Sequence, residues 1–173
     1  MESLRELHRV LRPHGCLGMI WNVEDYNQRQ DHKASTTWEQ TMQDYIWTQD
    51  DEQPRFRHQK WKQVFDEQIR SGPLALIVGS EPLFSLPLAM HEDPWTVFLS
   101  KDKVWDRLAT LSQIAILEGE ERELVHRKFL GAVASEDTQK NERGELAIHG
   151  GTIAAWTSKI PASGATKLWE KQA

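Results

Sequence analysis

A single cysteine, Cys16, stands in 173 residues. No disulfide framework can hold such a chain together, and a reducing compartment is expected. No apolar run approaches the roughly 20 residues that a membrane-spanning helix needs. The first residues also lack the basic-then-apolar pattern of a secretory leader, so cytoplasmic localisation is the expectation that remains. Basic charge is not in excess either. Lys and Arg number 21 against 26 Asp and Glu, a net charge of −5, which gives no general attraction to nucleic acid. Arg55, Arg57, His58, Lys60 and Lys62 do cluster, with Phe56 and Trp61 interleaved, but acidic residues flank them at 50–52 and 66–67. They read as a solvated helix face. The amphipathic segments lack the basic polar face of a membrane-surface helix. Neither nucleic acid nor membrane is an expected partner, and there are no internal repeats or low-complexity blocks.

What the chain does have is enough apolar residue, 39%, and little enough charge, 27%, for one domain with a real core. Eight tryptophans call for large contact areas with their N–H groups satisfied, which places several at cavity walls or element junctions. The segment 2–22 organises the rest. Leu4, Leu7, Val10 and Leu11 recur at helical spacing. Arg12-Pro13-His14-Gly15 stops that helix, because Pro13 disfavours helical geometry at Arg12 and Gly15 tolerates positive φ. Cys16 to Trp21 then runs without apolar/polar alternation, which predicts a strand covered on both faces, as in parallel α/β sheets.

Further on, the spacing predicts a helix from Asp31 to about Gln49, with Trp38, Met42, Tyr45 and Ile46 inward. A second runs from about His58 to Gln68, with Trp61, Val64 and Phe65 inward. Leu74 to Val78 is a short strand or linker. Leu83 to Met90 is a strand that Pro87 confines to an edge, an end or a bulge. Trp95 to Leu99 leads into a helix capped by Ser100, with Val104, Leu108, Leu111 and Ala115 as its stripe. Glu120 to Val133 is helical, with Leu124, Val125, Phe129, Ala132 and Val133 inward. A long strand from about Glu145 to Ser158 bends at Gly150-Gly151. Residues 161–173 read as a flexible tail.

Leu7 to Gly15 followed by Leu17 to Asn22 resembles the helix, turn and strand late in class I S-adenosylmethionine-dependent methyltransferases, of the type 11-like fungal and bacterial small-molecule group. The common form there is "hRVLkPGG" and then "LgliWN". Here His14 stands for the first glycine of the pair, which is tolerable where that position does not need positive φ. Trp105 to Gln113 and Thr152 to Ser158 resemble later stretches of the same group. The resemblance covers residues 2–160, the C-terminal half of the family's domain. It implies an α/β fold: a partial Rossmann-like sheet of about three strands, mixed, with an antiparallel end. Amphipathic helical insertions at about 31–68 and 100–133 would roof the substrate pocket. The final strand would lie beside the one ending at Asn22, leaving the other edge of Cys16–Trp21 open to pairing and self-association. Met1 falls where the family is mid-domain, so a truncated domain is expected.

The resemblance implies S-adenosylmethionine as cofactor and a small-molecule substrate. Yet the Gly-rich loop and ribose-holding acid of the family are missing. Gly150-Gly151 and the pair Gly15, Gly18 read as conformational glycines, so no cofactor-binding residues are identified and binding by this chain alone is not expected. The substrate-side candidates are Trp21, Asn22, Glu24 and Asp25, at the carboxyl end of the first strand where open α/β sheets hold ligands. Asn22 could orient a polar group, Trp21 wall the pocket, and Glu24 or Asp25 act as a base. Each has a structural alternative: an asparagine closing its own loop, a core tryptophan, loop acids. Arg107, with Thr110 and Ser112, lies in a stretch like the family's substrate-side cap helix, or on a helix face paired with nearby acids. His8, His14 and Cys16 match no zinc spacing, so no metal site is expected. A Cys16 nucleophile is not expected inside a strand. Methyl transfer to a small molecule is the leading reading. A non-catalytic remnant that pairs through its open edge is the alternative.

Overall fold

The computed structural model describes residues 2–49, 54–70 and 82–161. The elements in order are α1 (Glu2–Val10), β1 (Cys16–Glu24), a 3-10 turn (Asp25–Asn27), α2 (Thr37–Thr48), a second 3-10 turn (Phe56–His58) and α3 (Lys60–Arg70). There follow β2 (Ala89–Leu99), α4 (Lys101–Ala109), α5 (Ser112–Ala115), α6 (Gly119–Ala132) and β3 (Leu146–Ser158). The protein is mixed α/β. Its three strands form one antiparallel sheet in the order β1-β3-β2. The last strand in sequence therefore lies between the other two. The parallel part of the expected mixed sheet is not formed by the described residues. No helix among them is long and apolar enough to cross a membrane.

Several expectations are corrected. β1 is not covered on both faces. Leu17 is buried and Met19 and Trp21 are half-buried, whereas Cys16, Gly18 and Asn22 are exposed and Ile20 is 70% exposed. Accessibility alternates as it does in an antiparallel strand with one packed face, although residue type does not. The second strand begins at Ala89 and absorbs Trp95 to Leu99, so Pro94 rather than Pro87 sits within an edge strand. The helix after Ser100 is two: α4 and α5 are separated at Thr110-Leu111. Ser100 does cap α4, its hydroxyl accepting from Lys103 N at 3.4 Å. Leu124 is 61% exposed, while Val125 and Phe129 are buried. The strand expected at Leu74–Val78 and the tail beyond Pro161 lie outside the described residues.

The turn before β1 also differs from expectation. His14, not Gly15, takes the left-handed conformation, with φ of 58°. Histidine is among the non-glycine residues that tolerate this region. Gly15 is needed for a different reason. A Cβ there would stand 2.8 Å from the Arg12 carbonyl oxygen, which accepts the Gly15 N–H at 2.8 Å.

The chain divides into two compact units, one of residues 1–21, 60–92 and 153–173, the other of 22–59 and 93–152. In the first, Leu17, Phe65 and Phe84 are buried, with Leu4, Leu11, Met19, Leu83, Leu86 and Leu88 packed against them. Lys159 ties its pieces: its N–H donates to Gly15 O and its ammonium to Leu11 O, both at 2.8 Å. In the second, Trp38, Met42 and Ile46 of α2 meet Val104 and Leu108 of α4 and Val125 and Phe129 of α6, and Ile148 of β3 joins them. The stripe expected for α2 is inward as read.

The basic cluster is only in part a helix face, since Lys60 and Lys62 lie on α3 but the rest do not. Arg55 precedes a 3-10 turn, and Arg57 within it is buried at 4%, donating to Asn27 Oδ1 at 3.2 Å and lying 5.7 Å from the Trp47 ring centre. Arg55 donates to Ser112 Oγ at 2.6 Å.

Candidate functional site

β1 ends in Asn22-Val23-Glu24, and its alternation sets what each side chain meets. Asn22 is exposed and its Oδ1 accepts from the Thr152 hydroxyl of β3 at 2.7 Å. Glu24, two residues on, is buried at 8%. It pairs with Arg107 of α4, whose Nε donates to Glu24 Oε1 at 2.7 Å and whose Nη2 reaches the same oxygen. Burial alone would lower the Arg107 guanidinium. The bond and charge of Glu24, with Tyr26 nearby, outweigh that and hold it above its ordinary value. The Tyr26 hydroxyl is buried close to the Arg107 guanidinium. Burial pushes its phenol well up, and the Glu24 charge adds to that.

Asn22, Trp95, Val97, Arg107 and Thr152 line an open cleft of about 240 Å³. Trp95 is placed by the close packing of Gly150: a Cβ there would fall 2.5 Å from the indole ring and 2.6 Å from Val23 O. Gly150 is thus a close-approach glycine in a continuous strand, not a bend. The Arg107 guanidinium carbon is 6.0 Å from the Trp95 ring centre, within cation–π range.

Of the residues singled out from the sequence, Asn22 and Arg107 meet at this cleft, and Glu24 joins them through Arg107. Trp21 does not line it. It packs against Trp61 with ring centres 4.5 Å apart. Asp25 faces its own loop, where Oδ2 accepts from Ser35 N at 2.8 Å and Ser35 Oγ at 2.7 Å, and Oδ1 lies 3.2 Å from His32 Nε2. The Thr110 hydroxyl donates to Arg107 O at 2.7 Å. Cys16 is exposed rather than interior, and the His8 ring is bonded to Ile160 O at 2.8 Å.

A second polar group went unnoticed in the sequence. Glu39, fully buried on α2, accepts from His149 N at 2.7 Å and from the Thr36 hydroxyl at 2.7 Å, and its Oε2 lies 2.9 Å from His149 Nδ1. Burial pushes its carboxyl up, and these bonds partly offset the push. Asp25, Glu39 and His149 lie within ligand distance of one another, a set of types that suits a divalent cation. Their hydrogen bonds to Ser35, Thr36 and the β3 backbone make them a clamp between α2 and β3. Thr36-x-x-Glu39 has the spacing of a helix capping box, the one local signal that could have marked Glu39. Here the carboxylate turns to His149 instead, and Asp137 takes the Thr37 N–H at 2.6 Å. Trp95 and Thr152 had no local signal, since both join the cleft only through strand pairing.

Comparison with protein-family models and with curated proteins finds no match to this chain.

Proposed function

We propose that this chain is the substrate-side, C-terminal part of a class I S-adenosylmethionine-dependent methyltransferase acting on a small molecule. The observation that carries the reading is the strand order β1-β3-β2. The final strand is inserted beside the strand that follows the Arg12-to-Gly15 turn, as the sequence resemblance implies. A partial Rossmann-like sheet belongs to the same reading, as does a cytoplasmic setting for a chain with one exposed thiol. The cleft supports it by position, since it opens at the end of β1 where the resemblance puts the substrate-side residues.

The reading assigns little of the cofactor site to this chain. Gly150 is filled by Trp95, and Gly15 is closed by the Arg12 carbonyl, so neither offers backbone amides to a ligand. The part left to this chain is binding and orientation. Asn22 and Arg107 hold a substrate group, and Glu24 positions Arg107. Alignment of a bound nucleophile is the larger share of what a protein contributes to a displacement of this kind.

Calorimetric titration with S-adenosylmethionine tests the reading in two arms. The chain alone is expected to show no micromolar binding. A chimera with the Gly-rich first half of a class I methyltransferase placed before Glu2 is expected to show it. A soluble, folded chimera that binds nothing counts against methyl transfer. Micromolar binding by the chain alone overturns the claim that the cofactor site is incomplete.

One observation favours a second reading, a non-catalytic module that pairs through β1. The unit that holds most of β1 exposes Leu7, Val10 and Ile20, and among the described strands β1 lies at an edge. Sedimentation of the wild type and of Ile20→Lys tests it. A dimer converted to monomer supports the module, and a monomer at high concentration removes it.

A further inference from the structure

We propose that the cleft between Asn22 and Arg107 binds the carboxylate of a small, flat organic acid. The argument is one of donors. Arg107 spends Nε and Nη2 on a single oxygen of Glu24, which occupies one edge of its planar fork. Beyond that pair the Arg107 side chain stays 40% exposed, and a guanidinium edge matches a carboxylate in two parallel bonds. Asn22 accepts from Thr152 through Oδ1. With Oδ1 turned to Thr152, the Nδ2 hydrogens are what Asn22 offers. The Thr152 proton is spent on the same bond. The polar wall therefore presents donors from two side chains and calls for an acceptor.

The apolar wall narrows the class further. The Trp95 indole is pressed against Gly150 and carries the guanidinium over its ring at 6.0 Å, with Val97 alongside. A planar body can lie on that ring while its carboxylate meets Arg107 and Asn22. At about 240 Å³ the cleft is smaller than the usual range for ligand sites, roughly 300–1,000 Å³, so it suits a small acid. Glu24 is a positioning residue. It fixes the guanidinium from a buried seat and does not touch the ligand.

As an assignment of the methyl acceptor, this rests on the methyl-transfer reading; as a binding site it does not. The test is therefore run without cofactor, by NMR titration of the whole chain with benzoate, benzamide and inorganic phosphate. Benzoate is expected to saturate in the millimolar range and to shift the Asn22 side-chain amide and Trp95 indole signals, with benzamide about tenfold weaker. Arg107→Lys keeps the charge beside Glu24 and removes the second edge. It is expected to melt close to wild type and to bind benzoate about tenfold more weakly. Asn22→Leu, at an exposed position, is expected to lose several-fold in affinity. Equal binding of benzoate and benzamide, phosphate binding as tightly as benzoate, an unaffected Arg107→Lys variant, or no benzoate shifts up to about 10 mM would each overturn the proposal. Benzoate binding in a chain whose chimera takes up no S-adenosylmethionine sinks the methyltransferase reading alone. The converse pair of results sinks the acid site alone.

Discussion

Phe129 and Phe84 are both fully buried, one in each unit, and their surroundings differ. Phe129 stacks on Trp105 at 5.9 Å and meets Trp38 edge-on at 6.2 Å, inside a core fed by four helices and a strand. Phe84 meets Phe65 at 6.3 Å and the His8 ring at 5.6 Å, and most of what packs around it is only half-buried. The unit of 22–59 and 93–152 also holds the buried polar groups Glu24, Asp25 and Glu39 and the whole cleft. The other unit, among its described residues, has a small core and shows Leu7, Val10 and Ile20 to solvent. One region holds its side chains around a large aromatic core, while the other has a small core with half-buried walls. The site lies where rigidity can be supplied.

The most direct way to break this comparison is a matched pair of truncations. Phe129→Ala is expected to cost about 4–5 kcal/mol, because large rings hold the cavity open, and Phe84→Ala about 3 kcal/mol, because half-buried neighbours can close in. Denaturant unfolding of both variants measures the difference, and equal losses would erase it. Gly150→Ala comes next, at about 2–3 kcal/mol from overpacking. The new methyl meets the Trp95 ring on one side and a backbone oxygen on the other, so no rotamer change relieves it. A tryptophan fluorescence change should accompany the loss.

Glu39→Gln is expected to cost about 2 kcal/mol, since an amide cannot accept at both ends and one buried partner is left unsatisfied. Its pH dependence sharpens the case. The folded-state carboxyl is held above its ordinary value of 4.5, so the native state binds the extra proton. The associated stability is fully present below pH 4.5 and is lost as pH rises through the folded-state value. The gap between wild type and Glu39→Gln should therefore be widest in acid and narrow on going up. A gap that widens instead would mean that the clamp prefers the ionised form. The smallest expected effect is a gain. His14→Gly relieves a left-handed residue and should add about 0.5 kcal/mol, the strain removed less the extra entropy of glycine in the unfolded chain.

The elements most legible in the sequence were those whose signals are local. The α2 stripe, the Ser100 cap and the extent of β3 all rest on neighbours within a few residues. The face of β1 was misread because Cys16 and Ile20 are apolar on the exposed side. An apolar residue type does not by itself imply burial. β2 was misread because its strand spans His91-Glu92-Asp93-Pro94, residues that read as a loop when alone. At the cleft, Asn22 was singled out from its place at a strand end and Arg107 from the resemblance of its stretch to a cap helix. Thr152 and Trp95 were not, since only pairing in the sheet brings them there. His149 meets a glutamate 110 residues away, a distance at which no periodicity speaks.

The two outer edges of the sheet are not alike. β2 carries Glu92, Asp93 and Pro94 along its length, a charged stretch broken by a residue that cannot donate. β1 carries neither until Glu24. A copy of the protein that adds to β1 leaves two β2 strands facing outward, and these resist further addition. Growth by strand addition then terminates at a pair, a closed twofold assembly in place of an open-ended filament.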